Sequence, residues 1–339
     1  MTKNYPFVSI CTPTFNRRPF IETMFACFKN QTYPKDKMEW IIVDDGTDKI
    51  EDLIKDANIP QIKYFYVKKK MKLGEKRNFM HAKTKGEFLV YMDDDDYYPP
   101  ERVEHAVDIL QKNPGALCAG SSEIYIYFKH IDQMYQSGPF GPTHSTAGTF
   151  AFRRSLLQYT QYDDNAALAE ERSFLKEYTI PLVQLDPMKT ILVFSHHHNS
   201  FDKKNMLAMG ENKCFKKSDK KVRNFIRTKQ EENIYQFFMK NMDKELEKYK
   251  PGNPKNKPDV LKQMEEIQEE RKQIETSNQQ GSSIIVDIPG KGTRKLSPHD
   301  VITILTQQQN QIKFLIQRIK ELEENVLQTQ LQLASAQKN

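Results

Sequence analysis

The fold is decided by the stretch Phe88-Leu-Val-Tyr-Met-Asp-Asp-Asp-Asp-Tyr-Tyr-Pro-Pro100. Residues 88–92 are apolar and rich in strand-forming residues, which predicts a buried β-strand. The strand runs into four aspartates at 93–96, and the two prolines stop it from extending further. The sequence therefore predicts carboxylates at the carboxyl end of a central strand, where open α/β sheets bind their ligands.

The acidic run has two interpretations. Four adjacent like charges repel one another, and a divalent cation would neutralise them. Hard cations prefer oxygen ligands and often bring substrate phosphates with them. The alternative is an acidic loop that interacts with the dipole of the helix predicted at 101–110. We favour the metal site because the run directly follows a buried strand.

Strands and helices alternate before this stretch. Strands are predicted at 7–12, 39–43 and 62–67, and helices at 18–30, 50–56 and 74–84. This alternation predicts an α/β fold with a mostly parallel central sheet. Because the second strand ends in Asp44-Asp45, a second acidic pair is expected at the same edge of the sheet.

The sequence contains neither GxGxxG nor GxxxxGK[ST], which argues against a dinucleotide enzyme and a P-loop NTPase. A nucleotidyltransferase would show a glycine-rich turn after the first strand, whereas this turn reads Pro13-Thr-Phe-Asn16.

The chain resembles the family 2 glycosyltransferases with the GT-A fold over about residues 5–200. Four motifs in order carry the resemblance: Val8-Ser-Ile-Cys-Thr-Pro-Thr-Phe-Asn16, Ile42-Val-Asp-Asp-Gly-Thr-Asp48, Gly74-Glu-Lys-Arg-Asn78 and Tyr91-Met-Asp-Asp-Asp-Asp96. The resemblance implies a nucleotide-sugar donor, usually a UDP-sugar. The residues that it implies for donor binding are Pro13, Thr14, Asn16, Asp44, Asp45, Lys76, Arg77, Asn78, Asp93 and Asp94.

The same resemblance implies Mn²⁺ or Mg²⁺ bound by a DXD motif. That motif is either Asp93-x-Asp95 or Asp94-x-Asp96, and we favour Asp93 and Asp95. A later predicted strand ends in three histidines, whose alternation places His196 and His198 on one face. The resemblance implies one of them as a further ligand; the alternative is a surface cluster that binds metals adventitiously.

An acidic pair at Glu170 and Glu171 precedes a short predicted helix. It resembles the family's ED motif, whose second acid is the general base. This assigns the base to Glu171, with Glu170 as its neighbour, for transfer with inversion to an acceptor hydroxyl. The alternative is an acid that interacts only with the helix dipole.

Beyond residue 202 the resemblance fades. We predict a catalytic domain at 1–202, a helical extension at 203–249, a linker, helix and small strand at 250–296, and a coiled-coil oligomerisation helix at 297–339. Three prolines and a glycine at 250–258 indicate the linker. Heptad spacing indicates the coiled coil, through Val301, Leu305, Ile312, Leu315, Ile319, Leu322, Val326 and Leu333. The alternative is an amphipathic helix packed on its own domain.

Composition and short motifs indicate the cellular compartment and limit the classes of partner. The net charge is +6, and the four cysteines form no CxxC pair, which indicates reduced thiols in a cytoplasmic protein. No signal peptide or apolar run of about 20 residues is present, so any membrane association would be peripheral. No nucleic-acid motif is present.

Taken together, the sequence predicts a metal-dependent inverting glycosyltransferase. Its acceptor would be a glycan, a protein or a lipid-linked intermediate. The alternative is a catalytically inactive scaffold that binds nucleotide-sugars and oligomerises through its C-terminal helix.

The heptad pattern generates a prediction about assembly. An isolated helix would expose its apolar seam to water, and identical chains are the simplest partners. We expect truncation before Ser297 to yield a monomer that still hydrolyses the donor. Sedimentation velocity measures this, and a truncated chain that keeps the full-length oligomeric state would contradict it.

Overall fold

The computed structural model describes residues 4–168, 170–208, 210–279, 284–288 and 292–296, together with six single positions between 301 and 316. Residues 1–266 form one compact unit and residues 267–339 form another. Apart from those six positions, the predicted coiled coil at 297–339 lies outside the described residues. The coiled coil and the three boundaries between the four predicted segments stay predictions.

The described strands follow one another along the chain as short segments. They are β1 (Val8–Thr14), β2 (Met38–Asp44), β3 (Ile62–Tyr66), β4 (Phe88–Tyr91), β5 (Cys118–Gly120), β6 (Ile124–Phe128), β7 (Gln133–Ser137), β8 (Ala151–Arg153), β9 (Leu182–Gln184), β10 (Leu192–Ser195), β11 (Phe215–Ser218), β12 (Ile284–Ile288) and β13 (Gly292–Leu296).

The described α-helices are mostly short. They are α1 (Ile21–Lys29), α2 (Glu51–Ala57), α3 (Leu73–Lys83), α4 (Arg102–Lys112), α5 (Glu171–Phe174), α6 (Lys204–Ala208), α7 (Glu232–Gln236), α8 (Met242–Lys248) and α9 (Pro258–Gln279). A π-helical segment, Phe237–Asn241, joins α7 to α8. In the described part of the chain, each helix is too short or too polar to cross a bilayer.

The central sheet has the order β3-β2-β1-β4-β8-β5-β9. Its pairs are parallel except where β8 runs antiparallel to β4 and β5. The α/β class and the mostly parallel sheet are therefore confirmed. The register places Thr14 opposite Asp44 and Cys11 opposite Tyr91, so β1, β2 and β4 end at the same edge.

A buried chain of contacts holds these three strands together below that edge. The Trp40 ring stacks on Phe28 with centroids 4.5 Å apart, and its Nε1 donates to Thr12 Oγ1 at 2.9 Å. Thr12 Oγ1 donates in turn to the Met92 carbonyl at 2.6 Å. The start of the acidic turn is thus anchored to β1 and β2.

A second sheet, β10-β6-β7-β11, was not predicted. Only helices were predicted at 203–249, but β11 pairs antiparallel with β7. The β11 sequence Phe-Lys-Lys-Ser carries no apolar alternation, so only its partner strand defines it. Two backbone hydrogen bonds between Tyr97 and Leu192, 3.0 and 2.9 Å long, bring β10 to the acidic turn.

In the second compact unit, β12 pairs antiparallel with β13. The strand at 284–288 was predicted, whereas its partner β13 was not.

Candidate active site

The aspartates that follow β4 form a turn whose backbone is fixed by hydrogen bonds with the side chains of Tyr98 and Arg102. Tyr98 Oη accepts a hydrogen bond from the Asp93 amide at 2.8 Å. The fully buried Arg102 donates through Nη2 to the Tyr91 carbonyl at 3.2 Å and the Thr149 carbonyl at 2.8 Å. These contacts fix the backbone, so the carboxylates are presented at the end of the strand.

Arg17 is the main cation of this turn, and sequence reasoning missed it. Its Nη2 lies 3.1 Å from Asp95 Oδ2, and its Nε lies 3.5 Å from Asp94 Oδ1. Its Nη1 donates to the His198 carbonyl at 2.8 Å. Arg17 stands next to Asn16 in the first motif, but nothing in the sequence shows that its side chain turns towards β4.

The two carboxylates respond differently to this cation. Burial raises the pKa of Asp94 to about 7, although Arg17 opposes the shift. Burial acts on Asp95 in the same direction, but Arg17 and His196 outweigh it and hold the pKa of Asp95 well below its ordinary value. Asp95 is thus the carboxylate that stays ionised at neutral pH.

Arg77 links the acidic turn to α5. Its Nε donates to Glu170 Oε1 at 2.9 Å, and its Nη2 lies 3.9 Å from Asp93 Oδ1. Its guanidinium lies 4.4 Å from the centre of the Tyr91 ring. Its Nη1 is buried and has no hydrogen-bond partner among the described residues. A buried donor without a partner is costly, and an anionic ligand would satisfy it.

Glu171 begins α5 directly after Glu170. Burial and the neighbouring Glu170 charge raise the pKa of Glu171 to about 7. Glu170 is committed to its ion pair with Arg77, whereas no such partner holds Glu171 in the described part of the chain. The arrangement gives two adjacent carboxyl groups different roles, one fixed in an ion pair and one available to exchange a proton.

The first two motifs meet through Asn16. Its backbone is left-handed, with φ of 53°, and its Oδ1 accepts hydrogen bonds from the amides of Thr47 and Asp48 at 2.8 and 2.9 Å. Its Nδ2 donates to the Pro251 carbonyl at 3.1 Å. Asn16 therefore connects the turn after β1 to the turn after β2.

The acidic pair of the second motif is engaged within the protein. Asp44 accepts hydrogen bonds from the Gly46 amide and from Tyr64 Oη, each at 2.8 Å. Asp45 pairs with Lys76 Nζ and accepts from the Met71 amide at 2.6 Å. Both carboxylates are thus bonded within the protein and hold neighbouring residues in place at the rim of the site.

The side chain of Asn78 is hydrogen-bonded to the loop before α5. Its Nδ2 donates to the Tyr162 carbonyl at 2.9 Å and to Asp164 Oδ1 at 2.7 Å, while its Oδ1 accepts from the Tyr162 amide at 3.0 Å. The side chain is thereby used to hold the loop that leads to α5.

The remaining predicted donor-binding residues line a cavity of about 160 Å³. Its walls are Pro13, Thr14, Phe15, Arg17, Leu73, Lys76, Arg77, Asp93, Asp94, Asp95, Ser200 and Lys257. An open cavity of about 520 Å³ shares Phe15 with it and is lined also by Asn16, Thr47, Lys250, Pro251, Lys255 and Asn256. A larger groove of about 570 Å³ lies beside Arg18 and Tyr249 and includes none of the predicted site residues.

The predicted metal ligands do not meet at one point. All three histidines lie in the turn after β10 and not on the strand, so the predicted strand alternation does not apply to them. His196 and His198 are buried there and His197 is exposed. His196 Nε2 is 3.4 Å from Asp95 Oδ2, whereas Asp93 faces Arg77 and the His198 ring lies near Gly252. Within the ranges that the structure describes, no three His, Cys, Asp or Glu side chains converge as metal ligands.

The segment expected to be a linker packs on the site. Lys257 is 8% exposed, and its Nζ donates to Ser200 Oγ at 2.8 Å. Proline and glycine interrupt a helix whether or not the chain packs against something, so composition did not reveal this contact. Arg17, Ser200 and Lys257 are therefore the site residues that sequence reasoning missed.

The family model described as Glycosyl transferase family 2 matches residues 9–177. An uncharacterised glycosyltransferase of Rickettsia typhi is 32% identical over 134 residues, which cover 39% of each chain. An uncharacterised glycosyltransferase of Haemophilus influenzae is 22% identical over 232 residues, which cover 62% of this chain and 84% of the relative. The chain thus spans well under half the length of the first relative.

Two solved structures overlap with part of the chain. Residues 1–349 of S. aureus TarS in complex with UDP-GlcNAc give a TM-score of 0.47 at 18% identity, with 56% of this chain and 59% of that chain covered. The mannosyltransferase PcManGT from Pyrobaculum calidifontis in complex with GDP-Man and Mn²⁺ gives 0.48 at 16% identity, with 62% and 66% covered.

The Arg17 contacts generate a stability prediction. Arg17→Met leaves the buried Asp94 and the mostly buried Asp95 without their guanidinium, so we expect the free energy of unfolding to fall by about 3–5 kcal/mol near pH 8. The loss should shrink towards pH 5, because without Arg17 the carboxyl pKa values rise and the neutral acids are cheaper to bury. Urea unfolding of variant and wild type at both pH values measures this difference.

Arg18→Met is the matched control, because Arg18 pairs with Asp48 and Asp52 at the surface. It should cost no more than about 1 kcal/mol. Equal losses in the two variants, or a loss for Arg17→Met that does not change with pH, would contradict the assignment of Arg17 as the counter-ion.

Proposed function

The chain belongs to glycosyl transferase family 2, and from this premise we propose that it moves a sugar from a nucleotide-sugar to an acceptor hydroxyl. The observation that carries the proposal is the cavity at the ends of β1 and β4, where Lys76 and Arg77 stand beside the aspartates 93–95. Cations and carboxylates together suit a nucleoside diphosphate with an associated cation.

We place the donor diphosphate in this small cavity. The buried Nη1 of Arg77 lacks a partner among the described residues, and Lys76 approaches from α3. Both charges would stabilise the diphosphate as the bond to the sugar breaks. The nucleoside, which we propose to be uridine, would occupy the adjoining open cavity beside Asn16.

The residues present fit a hard divalent cation by their donor chemistry. Asp95 stays ionised and lies 3.4 Å from His196, and Asp93 Oδ1 is buried without a hydrogen-bond partner among the described residues. Mg²⁺ sites often use one or two carboxylates together with substrate phosphates, so a complete protein cage is not required. We propose Asp95 and His196 as the protein groups that would hold Mn²⁺ or Mg²⁺ together with the donor phosphates, and the ion would add positive charge beside the leaving diphosphate.

Glu171 is the proposed general base. A base works best when its pKa lies near the working pH, and burial beside Glu170 raises the pKa of Glu171 to about 7. Arg77 holds Glu170 and approaches Asp93, so one residue connects the base region to the donor region. A single carboxylate facing the acceptor hydroxyl supports displacement with inversion.

A donor panel tests the proposed function. We expect UDP release from at least one UDP-sugar, stimulated by Mn²⁺, and we expect Asp95→Ala to abolish the metal-dependent part while Asp219→Ala, at an exposed carboxylate, changes nothing. Coupled detection of free UDP and calorimetry measure turnover and binding. Tight UDP binding without release from any donor would favour the inactive scaffold, and metal-dependent binding retained in Asp95→Ala would refute the metal assignment.

The assignment of the base predicts a pH profile. Glu171 acts only as a carboxylate, so donor hydrolysis should rise with pH through about 7. Glu171→Gln cannot accept a proton and should lose at least about 10²-fold in hydrolysis while it still binds the donor.

The control is Glu177→Gln, which changes an exposed glutamate paired with Arg172. It should keep both the rate and the profile. Wild-type hydrolysis by Glu171→Gln would move the base to Glu170 or Asp164.

A further inference from the structure

We propose that Lys257, which lies 80 residues beyond the matched family region, completes the diphosphate site and contacts the phosphates of the donor. The proposal rests on the proposed function for the identity of the ligand, a nucleoside diphosphate. It adds a binding residue from a segment, residues 249–263, that we call the strap.

The strap is fastened to the site at points along its length. At its start, Tyr249 Oη donates to Asp48 Oδ2 at 2.8 Å. Near its end, Lys70 Nζ donates to Asp259 Oδ1 at 2.6 Å. Beyond that pair, Gln263 Oε1 accepts hydrogen bonds from two amides of the loop that leads to α5. The strap is therefore positioned by residues of the second motif, the β3–α3 segment and the α5 loop.

A close approach in the middle of the strap brings it against the site. A side chain at Gly252 would come within 2.7 Å of His198 Nδ1 and 2.8 Å of the Asn16 carbonyl. Only glycine allows the backbone to pass here without displacing its neighbours. At Gly252 the strap therefore lies against two predicted site residues, Asn16 and His198. Lys257 follows five positions later.

Lys257 is an unusual lysine for a surface segment. It is 8% exposed, and its Nζ is 5.9 Å from the centre of the Phe15 ring. Its ammonium lies on a cavity with Arg17, Lys76 and Arg77, so four cations share about 160 Å³. Asp93, Asp94 and Asp95 line the same cavity, while Lys76 pairs with Asp45 and Arg77 pairs with Glu170.

The cations on the cavity wall point to an anionic ligand. Burial and the charge of Arg17 lower the pKa of Lys257 to about 7, although Asp94 and Asp95 oppose the shift. A diphosphate carries two or more negative charges and would sit among these cations. Lys257 and Lys76 would approach it as point charges, while Arg77 would offer the Nη1 that lacks a partner among the described residues.

Binding of inorganic pyrophosphate, UDP and uridine tests this proposal. Lys257→Met keeps the aliphatic packing but removes the charge, so we expect it to weaken pyrophosphate and UDP binding about tenfold or more and to leave uridine binding unchanged. Lys257→Arg keeps a cation and should stay within about threefold of wild type. Calorimetry measures all three ligands, and melting temperatures report whether each variant is folded.

The matched control is Lys262→Ala, five residues further along the strap, whose side chain is 79% exposed. It should bind all three ligands as wild type does. Undiminished pyrophosphate binding in Lys257→Met, an equal loss of uridine binding, or a wild type that binds no pyrophosphate would overturn the proposal. If pyrophosphate binding depends on Lys257 while no nucleotide-sugar is turned over, the proposed function fails and the diphosphate site stands.

Discussion

Burial of carboxylates behind β4 is the constraint on which the rest of the site depends. Asp94 is buried and Asp95 is mostly buried, and ionised acids tolerate this only when cations or hydrogen bonds compensate them. The guanidinium of Arg17 supplies that compensation from the turn after β1. Because β1 and β4 are parallel neighbours, their carboxyl ends coincide and the ion pair can form.

Other acids near the site, Asp93 and Glu170, also lie close to a cation. Arg77 lies between Asp93 and Glu170, and so it couples α3, the acidic turn and the start of α5. Arg17 also donates to the His198 carbonyl, which ties the turn after β10 to β1. Segments far apart in sequence are thereby held in one arrangement, and the acids acquire distinct pKa values from their different surroundings.

This arrangement places cations on the cavity wall. Asp45 and Glu170 pair with Lys76 and Arg77, but Arg77 keeps a buried donor without a partner among the described residues. Charges fixed before a ligand arrives need no reorganisation when negative charge develops on a leaving group. The strap adds to this preorganisation, because Gly252 and Lys257 belong to the same folded unit as the four motifs.

The sequence by itself determined the α/β class, the order of the first four strands and the residues of the four motifs, whereas β1 runs to Thr14, two residues beyond its predicted end. These features are local, since apolar periodicity marks the strands and acids mark where they end. Only the tertiary structure decided that Asn78 turns to the α5 loop and that Asp44 is hydrogen-bonded to Tyr64 on the neighbouring strand. It also decided that Arg17, Ser200 and Lys257 join the site. Each of these depends on contacts between distant segments, and neither residue spacing nor composition specifies which distant side chains will meet.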